Sequence, residues 1–368
     1  MAKFAVSVVK CEHYDADLVE KSLDRAVQLV GGWGRYVKKG ARVLVKPNLL
    51  SWHSAEDAVT THPIVVEKIL ERLLELGAKP SVGDSPAAGS AEQVADKSGI
   101  LAVCRRHKVP LIELTTPKLR NNPDGMIVKE FPISVKLMEF DTIINVPKLK
   151  THMLTVYTGA VKNLFGCIPG KVKSNFHMHY GKQFNEMLLD LYLLLRPQLT
   201  IMDAVIGMQG FGPSYGEPVH LGMLLAGNDA LAVDCAATSI IGITAKVPMM
   251  HAARMRRLDA ATMSNILLTG DTINIRAFKT PGFASLVNLL RSRTLNRLAK
   301  VLGNRPAVAA ERCTACGNCA DVCSSHAITV GKTACINYGK CRRCFCCYEV
   351  CPNHAIVIQS LFSLQRFK

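Results

Sequence analysis

Eight cysteines near the C-terminus repeat one spacing, C-x-x-C-x-x-C-x-x-x-C, first at Cys313, Cys316, Cys319 and Cys323 and again at Cys341, Cys344, Cys347 and Cys351. Three thiolates spaced this closely on a tight loop can reach three irons of a cubane. A fourth, further on, starts a helix that points away and serves the other cluster. The spacing therefore predicts two [4Fe-4S] clusters, and a chain that moves electrons. Structural zinc, the other reading of Cys-x-x-Cys, takes four ligands in two separated pairs, whereas each foursome here is continuous.

The flanks repeat with the ligands. Val322, His326, Ala327 and Ile328 recur as Val350, His354, Ala355 and Ile356, a displacement of 28 residues. Each unit reads as cluster loop, short helix and strand. Over about residues 307–360 the segment resembles the bacterial two-cluster ferredoxins, a small α+β fold. That resemblance implies that one cluster takes Cys313, Cys316, Cys319 and Cys351 and the other takes Cys341, Cys344, Cys347 and Cys323. Two positions depart from the ferredoxin pattern: Ser324 follows Cys323 where proline is usual, and Phe345 stands where glycine is common. The Phe345 ring either restricts water near a cluster or packs in the core.

Fourteen cysteines less these eight leave Cys11, Cys104, Cys167, Cys235, Cys335 and Cys346, without a disulfide-framework spacing. This predicts a reducing, cytoplasmic setting. The N-terminus does not read as a targeting segment, and no stretch reaches the length of a membrane span; the most apolar one, 187–195, is broken by Asp190.

The residues before the cluster segment are enough for a large domain, and 49% apolar with 6% aromatic residues suits a well-buried one. Helical periodicity at 16–30 and 63–76 alternates with strand-like runs at 41–47, 80–83, 142–146, 199–202 and 221–225. The expected architecture is α/β: a large domain with a mostly parallel sheet over 1–280, a basic amphipathic linker helix over 281–306, and a small α+β two-cluster ferredoxin-like domain over 307–368. In the linker, Phe283, Leu286, Val287, Leu290, Leu298 and Val301 recur at helical spacing beside Arg291, Arg293, Arg297 and Lys300.

Functional residues in such sheets gather past the strand carboxyl ends. There stand Lys46-Pro47-Asn48, Asp84-Ser85-Pro86, the run from Pro147 through Lys148, Lys150 and His152, and Asp203. The motifs KPNLL, THP, GDSP, PKLKTH, TGAVKNLFGCIPG and AVD, over roughly residues 40–360, resemble a bacterial and archaeal family called domain of unknown function 362, whose members often carry a C-terminal two-cluster ferredoxin module. The family name assigns no reaction. From the residues, Lys46, Lys148, Lys150 and Lys162 with His152 would form an electropositive pocket for a small anion. Asp84, Asp203 and Asp234 with His152 would hold a divalent metal or relay protons, unless they cap helices or pair with the lysines, and the α/β domain would otherwise take an unidentified second cofactor. His177 and His179 would point to one side if their stretch is extended. Cys167 is either a redox thiol or a small buried residue.

The net charge of +16 is spread along the chain, without a nucleic-acid motif or aromatic interleaving, which excludes nucleic acid as the main partner. In 311–358, Arg312, Lys332, Lys340, Arg342 and Arg343 face Glu311, Asp321 and Glu349, a net +2. This predicts a redox partner protein with an acidic docking face. Three readings follow: a ferredoxin-coupled oxidoreductase acting on an anionic substrate in the α/β domain, a dedicated electron carrier, and a non-enzymatic sensor or assembly factor.

Overall fold

The computed structural model describes residues 3–273, 278–281 and 305–359. Two compact units result, Met1–Gly170 with Asn185–Pro281, and Lys171–Phe184 with Gly282–Lys368. The expected single block 1–280 is thus interrupted, because residues 171–184 pack with the C-terminal segment. The linker residues named above lie outside the described residues.

The large unit is built on β1 (Phe4–Lys10), β2 (Arg42–Pro47), β3 (Lys79–Asp84), β4 (Leu111–Glu113), a separate hairpin of β5 (Pro117–Asn121) and β6 (Glu130–Ser134), then β7 (Thr142–Val146), β8 (Lys148–His152), β9 (Val156–Thr158), β10 (Leu199–Gln209), β11 (Glu217–Gly227) and β12 (Ile266–Gly270). Among the described residues ten strands form one sheet in the order β12-β1-β11-β10-β7-β2-β3-β4, with β8 beside β10 and β9 beside β8. Pairing is mostly parallel. The antiparallel exceptions are β1 with β11, β10 with β11, and β8 with β9.

Val43, Leu44 and Val45 are all fully buried, as a strand covered on both faces requires. Helices Ala16–Gln28 and Pro63–Glu75 supply one cover, packing Val19, Leu23 and Val27 with Val66, Ile69 and Leu73 into the core. Asp15 caps the first through Leu18 N at 2.9 Å. His62 caps the second, with Pro63 in the first turn, where a missing N–H costs nothing.

Two elements differ from the sequence reading. The KLKTH run, expected as a loop past a strand, is itself the buried strand β8, because its lysines find partners inside. Residues 170–180 form a helix, so His177 and His179, two apart, point about 200° from each other, and the extended His-x-His arrangement does not exist. His177 instead stacks on Phe184, with centroids 4.2 Å apart.

The small unit keeps the repeat. Short helices Asn318–Asp321 and Cys346–Glu349 occupy equivalent positions, as do strands β14 (Ile328–Val330) and β16 (Ile356–Gln359). The first of these strands pairs with β15 (Ala334–Ile336), the second with β13 (Arg305–Val308), both antiparallel. Left-handed backbone recurs in register at Ala315 and Arg343, Gly317 and Phe345, His326 and His354. Phe345 thus adopts, at φ 60°, the turn that Gly317 takes without a Cβ penalty.

Candidate functional site: two cysteine quartets and a buried charged edge

In the small unit Cys313, Cys316, Cys319 and Cys351 line one cavity. Cys323, Cys341, Cys344 and Cys347 line another, joined by Phe345 and Cys346. The fourth cysteine of each run has crossed to the other run's cavity. Backbone N–H groups point at the sulfurs: Ala334 to Cys313 (3.3 Å), Ala327 to Cys323 (3.3 Å), Arg343 to Cys341 (3.4 Å) and Ala355 to Cys351 (3.2 Å). Such donors stabilise thiolate ligands and tune clusters.

Burial pushes the Cys319, Cys341 and Cys347 thiols up, and neighbouring sulfurs add to the push. Cations that replace the protons relieve this crowding. The spacing of the sulfurs tests which cation fits. A tetrahedral zinc at about 2.3 Å from sulfur would hold its ligands about 3.8 Å apart. Among the described residues no three of the eight sulfurs lie mutually within 4.8 Å. The quartets are too open for a single zinc and fit a larger polynuclear group.

The two cavities differ in access. Cys316 is exposed, whereas the second cavity has no exposed cysteine ligand and is lined by the buried ring of Phe345.

In the large unit the strand-edge lysines are interior. Lys46 and Asp84 form an ion pair at 2.7 Å with side chains 0% and 4% exposed. Asp84 also accepts Leu49 N and Ser85 N, each at 2.8 Å. Lys148 and Asp203 pair at 2.9 Å, both fully buried, and burial lowers the lysine pKa. Tyr14 completes this second pair: its Oη donates to Asp203 Oδ1 (2.8 Å) and accepts from Lys148 Nζ (2.7 Å). Its ring stacks on His62 at 3.6 Å, and His62 N donates to Asp203 Oδ2 at 2.9 Å. Desolvation brings the His62 pKa down to about 4, outweighing the attraction of Asp203.

Lys150 Nζ donates to Val59 O at 2.5 Å, and His152 Nδ1 accepts Leu154 N at 3.1 Å; both side chains are fully buried. Lys162 is half-buried in the short helix Ala160–Asn163, and Cys167 is buried. Asp234 accepts Ala160 N (2.6 Å), Val161 N (2.9 Å) and Tyr157 Oη (3.0 Å), and burial raises its pKa to about 7. Asn163 ties the edge together, donating to Asn145 Oδ1 (2.8 Å) and Lys46 O (3.2 Å) while accepting from Asn48 Nδ2 (3.0 Å).

Asp84, Asp203, Asp234 and His152 do not bring three ligand atoms within 4.8 Å of one another. The acids bind cations and backbone amides of the chain itself. Tyr14, His62, Tyr157 and Asn163 escaped the sequence reading as partners of this network. Tyr14 precedes a helix far from the strand ends in sequence, while His62, within THP, and Asn163, within TGAVKNLFGCIPG, lay in noted motifs whose residues were read without these partners.

A family described as Domain of unknown function (DUF362) matches residues 43–239, more than half of the chain, and a 4Fe-4S binding domain matches residues 306–329. The "Thylakoid-associated protein sll1697" of Synechocystis sp. (strain ATCC 27184 / PCC 6803 / Kazusa) is 37% identical over 252 residues, covering 67% of this chain and 78% of the relative. The lactate racemase apoprotein from Thermoanaerobacterium thermosaccharolyticum aligns with a TM-score of 0.40 at 11% identity, over 62% of this chain and 55% of that one. The chain belongs to the DUF362 family and carries a 4Fe-4S binding domain near its C-terminus.

Proposed function

We propose that the chain is an electron-transfer protein with two [4Fe-4S] clusters, one on Cys313, Cys316, Cys319 and Cys351 and the other on Cys323, Cys341, Cys344 and Cys347. The observation that carries this is the pair of four-cysteine cavities with exchanged fourth thiols, too open for zinc. Clusters bound there would supply one-electron transfer. The chain's own residues hold the thiolates with backbone N–H groups and surround them with a small excess of positive charge, which favours the more negative reduced state. Exposed Cys316 marks the face for a redox partner, and the cationic excess suits an acidic docking surface on that partner.

Protein purified without air should contain about eight irons and eight sulfides per chain, with visible absorption that dithionite bleaches. Cys316→Ala and Cys344→Ala should each reduce the iron content by up to half. Zinc alone, or absorption that dithionite leaves unchanged, overturns the proposal.

A second reading adds a small anionic acceptor at the strand edge of the large unit. Three fully buried lysines, Lys46, Lys148 and Lys150, favour it by concentrating positive charge at that edge. Equilibrium binding of inorganic phosphate to wild type but not to folded Lys150→Met would support it, and equal binding counts against it. Cytoplasmic location belongs to the proposal too. The relative is named for a thylakoid association, and no helix among the described residues is long and apolar enough to cross a membrane. Cell fractionation separates a cytoplasmic from a membrane-surface location.

A further inference from the structure

Glu67 and Glu71 stand one turn apart on the helix Pro63–Glu75, where positions i and i+4 share a face. His107 closes the neighbouring helix Ile100–Arg106 and brings its ring to that face. Its Nε2 lies 3.0 Å from Glu67 Oε1 and 3.6 Å from Glu71 Oε1. Among the described residues this is the one group of three His, Cys, Asp or Glu side chains whose ligand atoms all lie within 4.8 Å of one another. Glu67 is buried, and Glu71 and His107 are half-buried.

The three side chains converge more than ordinary pairing requires. Nε2 carries at most one proton, yet two carboxylate oxygens face it. Lys68 binds Glu71 through the other oxygen, Oε2, at 2.8 Å, which leaves Oε1 turned to the histidine. Arg106 reaches Glu67 Oε1 from the rim, and its exposed side chain can exchange that contact for water at little cost. An ion about 2.1 Å from each ligand sets neighbours about 3.0 Å apart in octahedral and about 3.4 Å apart in tetrahedral coordination, close to the separations at Nε2.

We propose that Glu67 Oε1, Glu71 Oε1 and His107 Nε2 form a binding site for a divalent first-row metal ion, with water completing its coordination, that clamps the helix Pro63–Glu75 to the end of the helix Ile100–Arg106. Two carboxylates and one imidazole, without sulfur, suit an ion such as Mn2+. Arg106 competes with the ion for Glu67 Oε1. The site shares no residue with the cysteine quartets, so it stands or falls apart from the two-cluster reading.

The probe is Mn2+, which leaves thiolates alone, titrated into full-length protein purified without air, with free Mn2+ followed by its electron paramagnetic resonance signal. Wild type should take up one Mn2+ that His107→Gln and Glu71→Gln each weaken by more than about tenfold, at unchanged helical circular dichroism. Arg106→Gln frees the contested oxygen and should tighten binding, a gain that loss of structure would not produce. No uptake by wild type, or equal uptake by wild type, His107→Gln and Glu71→Gln, overturns the inference. Equal or weaker binding in Arg106→Gln overturns it too.

Discussion

Gly166 lies against the Lys46–Asp84 pair so closely that a Cβ on it would overlap Asp84 Oδ1 and crowd Lys46 Nζ. Gly166→Ala must push the carboxylate from its lysine, and breaking a buried ion pair costs on the order of 3–5 kcal/mol. Urea unfolding should show that loss, while Gly34→Ala, with open space around it, should change stability by less than about 0.5 kcal/mol. Equal effects of the two would count against the close-approach argument. His62 sets a pH dependence. Its pKa is about 4 when folded against 6.5 as the ordinary value, so between these limits the unfolded chain takes up a proton that the folded chain refuses. Its contribution is complete above pH 6.5 and is lost as pH falls toward 4, by up to about 1.4 kcal/mol per pH unit. His62→Asn keeps a helix cap and should flatten the slope of stability across that window. Identical slopes for the two proteins would refute the assignment.

At the scale of elements, Ser324 explains a departure from the ferredoxin pattern. Its hydroxyl donates to Ser174 O at 3.3 Å and touches the Met178 sulfur at 3.9 Å, tying the cluster loop to the helix Gly170–Tyr180. Proline could not make this bond. Ser324→Pro should release roughly 0.5–1.5 kcal/mol of local stability, seen as up to about tenfold faster amide exchange along that helix with iron content unchanged. Unaltered exchange would show that the hydroxyl does not hold the helix. Legibility also varied by element. Apolar runs such as 142–146 announced buried strands, and β7 has those bounds. KLKTH did not, since alternating lysines look solvated until Asp203 is known to face Lys148. The MAKFAVSVVK start conceals β1, whose partners β11 and β12 lie more than 200 residues away.

For the whole molecule, local spacing and distant pairing divide what could be known. The cysteine runs, their period and the α/β alternation are written in short stretches of chain, because turn geometry and helical or strand periodicity act over a few residues. The sequence by itself thus determined the thiol quartets, the α/β class and the family motifs. Tertiary structure alone decided that residues 171–184 join the small unit, that Lys46 and Lys148 are buried against Asp84 and Asp203, and that Cys346 lines the second cavity. The physical reason is that burial and charge pairing depend on which residues meet across long separations, and a buried lysine looks like a solvated one until its partner is in place.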